Sequence, residues 1–203
     1  RGWLGGHHAV ISGTRGGKGV SAIMPAIFDH DGPVVALDIK GELVDTTMAN
    51  RTAKGQRVVA LDPFRVSKSS RIEGQKPIGF NPMAFIRKHH RSRDAAVLAD
   101  GIIVPETGSG AHFSDRARAC LQTAIEVVHE EHEAPSLHVV RDLILNAGFL
   151  DTLTAWAEMP KLAGGRAANL AGSFLAMGDK ERGSILSTVA KSLEWTSADA
   201  MDG

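Results

Sequence analysis

The chain has 203 residues, with 23 Lys and Arg against 23 Asp and Glu, 22 glycines, no tyrosine and a single cysteine. That length holds one substantial core, or one core with a smaller helical subdomain, and excludes an array of independent domains. The lone thiol of Cys120 excludes an internal disulfide framework and fits a reducing compartment, and no apolar run approaches the roughly 20 residues that a membrane-spanning helix needs.

In chain order, three short apolar runs come first: Ala9-Val10-Ile11, Val34-Val35-Ala36-Leu37 and Val58-Val59-Ala60-Leu61. Continuous β-branched runs of this kind are the pattern of parallel strands buried on both faces. Between the first two, Gly17 to Phe28 carries Val20, Ile23, Met24 and Ile27 at helical spacing, followed by a turn through Asp31-Gly32-Pro33. Between the second and third, residues Leu43 to Lys54 have helical length, and Gly55 can stop them as a left-handed cap. Two β-α-β units and a parallel sheet are expected.

A loop-rich stretch from Asp62 to Pro82 follows, with Pro63, Ser69, Ser70 and Asn81 all disfavouring a central strand or a continued helix. Beyond it the pattern is helical throughout. Helices are predicted over Asp115 to Glu131 behind a Ser114 cap, from Ser136 to Leu145 with Gly148 as terminator, from an Asp151 cap to Met159, over Arg166 to Met177, and from an Asp179 cap to Trp195. The expected fold class is α/β, a parallel-sheet portion followed by an all-α domain.

The charge is divided in the same way. Residues 1–93 carry 15 Lys and Arg against 7 Asp and Glu, and residues 94–203 carry 8 against 16. A basic half suits phosphate-rich ligands and an acidic half suits basic proteins, so the domain boundary is expected near residue 93.

The segment that carries chemistry is Ser12-Gly13-Thr14-Arg15-Gly16-Gly17-Lys18-Gly19, after an apolar run and before a helix. A polyphosphate needs many donors at close range, which glycines and a helix start supply, and Lys18 would reach the terminal phosphates. The usual phosphate-loop pattern has Gly where this chain has Ser12, and a magnesium-binding hydroxyl where it has Gly19. Ser21 is the available substitute. A dinucleotide-binding turn is the rival, with Asp38 placed as its ribose-binding acid, but Gly13, Gly16, Gly17 and Gly19 do not fit its glycine spacing.

The residues Thr14-Arg15-Gly16-Gly17-Lys18-Gly19-Val20 resemble the Thr-Arg-Ser-Gly-Lys-Gly-Val loop of TraG/TraD-type coupling proteins of conjugation and type IV secretion, in which Gly commonly follows the Lys. Val34 to Glu42 resembles that family's apolar strand followed by Asp-Pro-Lys-Gly-Glu, with Ile39 in place of Pro. Val58 to Pro63 and Phe80-Asn81-Pro82 match two later signatures, and Phe113, Ala117-Arg118 and Ser184 to Thr188 resemble the helical insertion more loosely. The resemblance implies a RecA-like P-loop motor fold interrupted by an all-α domain, with ATP and Mg²⁺ as cofactors and Asp38 and Glu42 as a second motif. It also implies a homo-hexamer forming the cytoplasmic part of a bacterial inner-membrane protein. DNA or secreted proteins would be its substrates, and relaxosome or effector-adaptor proteins and the secretion channel its partners. Its later acidic motif has no counterpart up to Gly203, so this segment alone is expected to be inactive. The opening without Met likewise gives the expectation of a piece of a longer protein.

Several other residues carry alternatives. Arg87, Lys88, Arg91 and Arg93, with His89 and His90 among them, would contact nucleic-acid phosphates or form a solvated linker. The acidic helical half is alternatively a docking module for basic partners. His129 and His132 read as a charged helix end rather than a metal site, His7 and His8 as strand-entry residues, and Cys120, Trp156 and Trp195 as packed side chains.

Overall fold

The computed structural model describes residues 9–62, 66–68, 80–106 and 108–196; His7, His8, Pro63, Ser69 and Ser70 lie outside them. The chain divides into two compact units, one running to Phe80 and the other from Asn81.

In the first unit a π-helical turn, Gly19–Ile23, runs directly into α1 (Met24–Asp29), where Pro25 in the first turn has no N–H to bond back to the turn before it. Helix α2 (Glu42–Ala53) starts behind Gly41 at φ 72°, and the Asp38 carboxylate accepts from the Leu43 and Val44 amides at 2.8 and 3.0 Å, satisfying two of its free donors. At the other end Gly55 adopts φ 77°, the left-handed stop expected from its place in the sequence. Arg51 is buried and ties the two helices together: its guanidinium donates to the carbonyls of Ile27 (2.8 Å), His30 (2.5 Å) and Gly32 (2.7 Å). Lys54 and Gln56 add bonds to the Phe28 and Asp31 carbonyls, so the end of α1 and the turn after it are held by side chains of α2 and its exit.

The expected parallel sheet is not present. Among the described residues there is no β-strand, and the structure is helical in both units. The α/β class and its RecA-like sheet are therefore corrected. Residues 9–11, 34–37 and 58–61 have the composition of buried strands, but a strand exists only when its amides and carbonyls find a ladder partner, and none of the three runs supplies one to another. Their exposure shows the same thing: Ile11 is 94% exposed, Val35 fully and Leu37 89%. Val34, Val35 and Leu37 line an open apolar groove of about 480 Å³ with Ile23, Ile27 and Leu43.

The second unit is a helical bundle around α4 (Ala111–Glu131), whose Ala117, Cys120, Leu121, Ala124, Ile125 and Val128 are fully buried. Packed on α4 are α3 (Arg91–Ile102), α5 (Leu137–Leu145), α7 (Arg166–Leu175) and α8 (Asp179–Ser192), while α6 (Phe149–Ala157) packs on α7. Ser136 caps α5 as predicted, accepting from the Val139 amide at 3.3 Å. Ser114 does not cap α4, which begins three residues earlier; its hydroxyl is buried, donates to the Ala111 carbonyl and accepts from the Glu106 amide. Likewise Asp151 lies in the first turn of α6 and Asp179 opens α8, with Gly148 and Gly178 in the capping positions. Trp156 packs edge-on to Phe149, but Trp195 is 52% exposed, its indole donating to the Ser192 carbonyl. Burial pushes the Cys120 thiol up to about 12, so it behaves as a small apolar side chain. No helix among the described residues is long and apolar enough to cross a membrane.

A candidate phosphate-binding loop

The loop that precedes α1 is tightly curled. The Gly16 amide donates to the Gly13 carbonyl at 3.1 Å, and Arg15 and Gly17 both take left-handed backbone angles, φ 61° and 75°. For Arg15 that conformation costs about 1–2 kcal/mol relative to the right-handed region, a strain of the kind that functional loops store. Gly16 lies between them, and a Cβ there would fall 2.4 Å from the Ser12 hydroxyl, which would have to rotate away, and 3.0 Å from the Gly13 carbonyl oxygen.

Lys18 folds back over this curl. Its Nζ donates to the Ser12 carbonyl at 2.6 Å and to the Gly13 carbonyl at 2.9 Å, and it has no carboxylate partner among the described residues. The residue as a whole is half-buried, and its ammonium rests at the exposed surface against two neutral carbonyl dipoles. Thr14, Arg15, Gly16 and Gly17 are exposed around it, and Gly19 and Val20 begin the helical turn, whose first amides have no intrahelical acceptor. An amine held over a curl of exposed backbone is the arrangement that an anion with several oxygens completes.

A metal fits less well. Gly19 has no side chain, and the Ser21 hydroxyl gives its proton to the Gly17 carbonyl at 2.8 Å, leaving only its lone pairs to offer. Among the described residues no group of three or more His, Cys, Asp or Glu side chains could hold a metal ion, and His129 and His132 belong to no such group. Magnesium characteristically takes most of its ligands from phosphate oxygens and water, and only that mode is compatible with this loop.

The family described as type IV secretory system conjugative DNA transfer matches residues 3–202. The chain belongs to this family. It is also similar to the proteins named VirD4 of Rhizobium radiobacter, Agrobacterium fabrum and Rhizobium rhizogenes, each 28% identical over 145 residues, which is 70% of this chain and 20% of the relative. The chain thus spans about a fifth of the length of the curated relatives it matches. No solved structure matches it significantly.

In this member of the conjugative DNA transfer family the remaining predicted residues are scattered. Asp38 is engaged at the start of α2, and Glu42, the first residue of that helix, is exposed. Asp62 does likewise in the next segment, its carboxylate accepting from the Val66 and Ser67 amides at 3.0 and 2.8 Å. The basic run belongs to the second unit. Arg87 closes on Asp94 (2.7 Å) and Arg91 on Glu130 (2.5 Å), whereas Lys88 and Arg93 are both exposed.

The pattern of apolar runs did not reveal two polar clusters. One is Arg51 with its three carbonyls. The other joins α3, α4 and α7: Glu126, only 2% exposed, is paired with Arg166 at 2.9 Å and accepts from Gln122, while Arg166 also reaches the Ser92 hydroxyl. Its one trace in the sequence is Glu126 itself, an acid between Ile125 and Val127 in an otherwise apolar stretch.

Proposed function

We propose that the chain is the nucleotide-binding and helical portion of an ATP-driven coupling protein that recruits DNA or protein substrates to a type IV secretion channel. In this reading the loop from Ser12 to Val20 binds the polyphosphate of ATP. Lys18 moves from the Ser12 and Gly13 carbonyls onto the β- and γ-phosphates, and the amides from Thr14 to Gly19 donate to the bridging and non-bridging oxygens. The observation that carries the reading is the Lys18 amine, poised at 2.6 and 2.9 Å over a strained glycine curl without a carboxylate partner among the described residues. Magnesium bound to the phosphates would neutralise charge developing on them. Asp38 and Glu42 are assigned as a second motif, working through the position of α2. Membership of the conjugative transfer family supports the role in secretion. The hexamer, the anchoring at the inner membrane, and the relaxosome or adaptor partners belong to the same proposal.

In the full-length protein, Lys18→Ala should abolish ATP turnover and weaken binding of a fluorescent ATP analogue, with the circular dichroism spectrum unchanged. Undiminished hydrolysis by that variant would refute the assignment. A second reading is favoured by the excess of 16 acids over 8 bases in residues 94–203: the helical domain recruits basic substrate or adaptor proteins. Isothermal titration of the full-length protein with a basic relaxosome protein checks it, and an affinity unchanged by charge reversal of Glu131 and Glu133 counts against it.

A further inference from the structure

The geometry points to a sequence-blind nucleic-acid contact at the start of α3, made by Lys88 and Arg93 with the imidazoles of His89 and His90; this rests on the coupling reading above and adds to it a specific DNA-facing site. The structure sorts the basic run into two classes. Arg87 is consumed by Asp94, its backbone amide and Nε donating to Oδ2 at 3.0 and 2.9 Å and its terminal nitrogen to Oδ1 at 2.7 Å. Arg91 is consumed by Glu130. Ser92, next to Arg91, is pinned to α4 and α7, its carbonyl accepting from Gln122 at 3.2 Å and its hydroxyl from Arg166. These bonds fix the backbone of the run against the bundle. Lys88, His89, His90 and Arg93 are left accessible to solvent, and neither Lys88 nor Arg93 has a carboxylate partner among the described residues.

With the backbone of the run already held, the cost of ordering on meeting a charged chain falls mainly on the exposed side chains themselves. The ammonium and guanidinium groups suit phosphate oxygens, and the adjacent exposed imidazoles offer flat faces on which unpaired bases stack. An anionic membrane would use the charges but has no use for the imidazoles, and the exposed apolar side chains near the run, Phe85 at 70% and Val97 at 65%, lie on opposite sides of it in the sequence rather than on one continuous stripe. Nothing in the edge reads a base sequence, which suits a protein that must pass any sequence along.

The test is fluorescence anisotropy of a labelled mixed-sequence single strand with the full-length protein, as wild type, as Lys88→Ala/Arg93→Ala, and as Lys180→Ala/Lys191→Ala, which removes two exposed lysines elsewhere on the bundle. Loss of two phosphate contacts lowers the log–log salt slope by about 1.4, so the advantage of wild type over Lys88→Ala/Arg93→Ala grows about sevenfold between about 200 and 50 mM salt. The Lys180→Ala/Lys191→Ala slope should match wild type. An unchanged slope in Lys88→Ala/Arg93→Ala, or no binding of the strand by wild type at low salt, overturns the inference. So does a loss confined to phosphatidylserine vesicles, which would assign the edge to a membrane. Analogue binding through Lys18 is read in the same samples, so failure of this site is distinguishable from failure of the nucleotide reading.

Discussion

Arg51 is the side chain on which the geometry of the first unit depends, and replacing it by Met, which keeps the apolar stem and removes every donor, isolates that dependence. Three bonds are lost, to Ile27, His30 and Gly32. Buried bonds from a charged donor contribute about 1.5–3 kcal/mol each, but they are not additive. The His30 and Gly32 carbonyls also lie close enough to solvent for water to replace the guanidinium to some extent. A net loss of about 3 kcal/mol is expected, which is about two decades in a local opening constant. Native-state hydrogen exchange reads it directly: amides of Met24–Asp29 and Glu42–Ala53 should exchange about a hundredfold faster, with those of Ala111–Glu131 unchanged. Arg51→Lys, retaining a point charge but not the fork, should recover only some of the protection. Equal protection of α1 and α2 in wild type and Arg51→Met would refute the reasoning.

Three further outcomes are expected. Gly41→Ala meets both a left-handed backbone, at about 1–2 kcal/mol, and the Ser67 Cα at 2.6 Å, whereas Gly55→Ala meets only the first; chemical denaturation should therefore show the larger loss at 41, and equal losses would discount the packing. Arg166→Met leaves the Glu126 carboxylate buried with Gln122 as its remaining side-chain partner, costing about 2 kcal/mol in a urea melt after allowance for the 45% exposure of Arg166; Glu126→Leu/Arg166→Met should regain most of it, and a double variant no better than the single contradicts the pairing. The side-chain and backbone hydrogen bonds of Arg87 hold the Asp94 carboxyl well below the usual carboxylate range, so this staple contributes fully above the unfolded value of about 3.9 and is lost only as pH falls through the lower folded value. Carbon NMR should find Asp94 still ionised at about pH 3, and an ordinary midpoint speaks against the staple.

The sequence made the helices legible wherever a cap or an apolar stripe marked them. Ser136 capped α5, Gly55 stopped α2 in the left-handed region, and the stripe from Ala117 to Val128 was the buried face of α4. Helix α3 was hidden because Arg-Ser-Arg-Asp reads as a solvated stretch, and its first turns are supported by charge pairing with Asp94 and Glu130 more than by an apolar face. The sheet was misread for a physical reason: β-branched composition records what a segment tolerates, whereas a ladder is a property of two segments at once. The curl of the loop was legible from its glycines, two of which flank the bend, whereas the contacts of Lys18 with the Ser12 and Gly13 carbonyls carry no residue signature. The Arg51 staple was not legible either, since its acceptors are likewise backbone carbonyls.

The resting place of the Lys18 amine has a bearing on selectivity. Any anion that draws it off must replace two acceptors already within hydrogen-bonding reach, so bare negative charge is a poor key. Chloride brings one centre and no direction; a single carboxylate brings a charge but only two oxygens, one for each acceptor surrendered. In the proposed nucleotide-binding reading, a chain of phosphates presents more oxygens than the amine surrenders, so selection by number of acceptors would precede any selection by base or sugar.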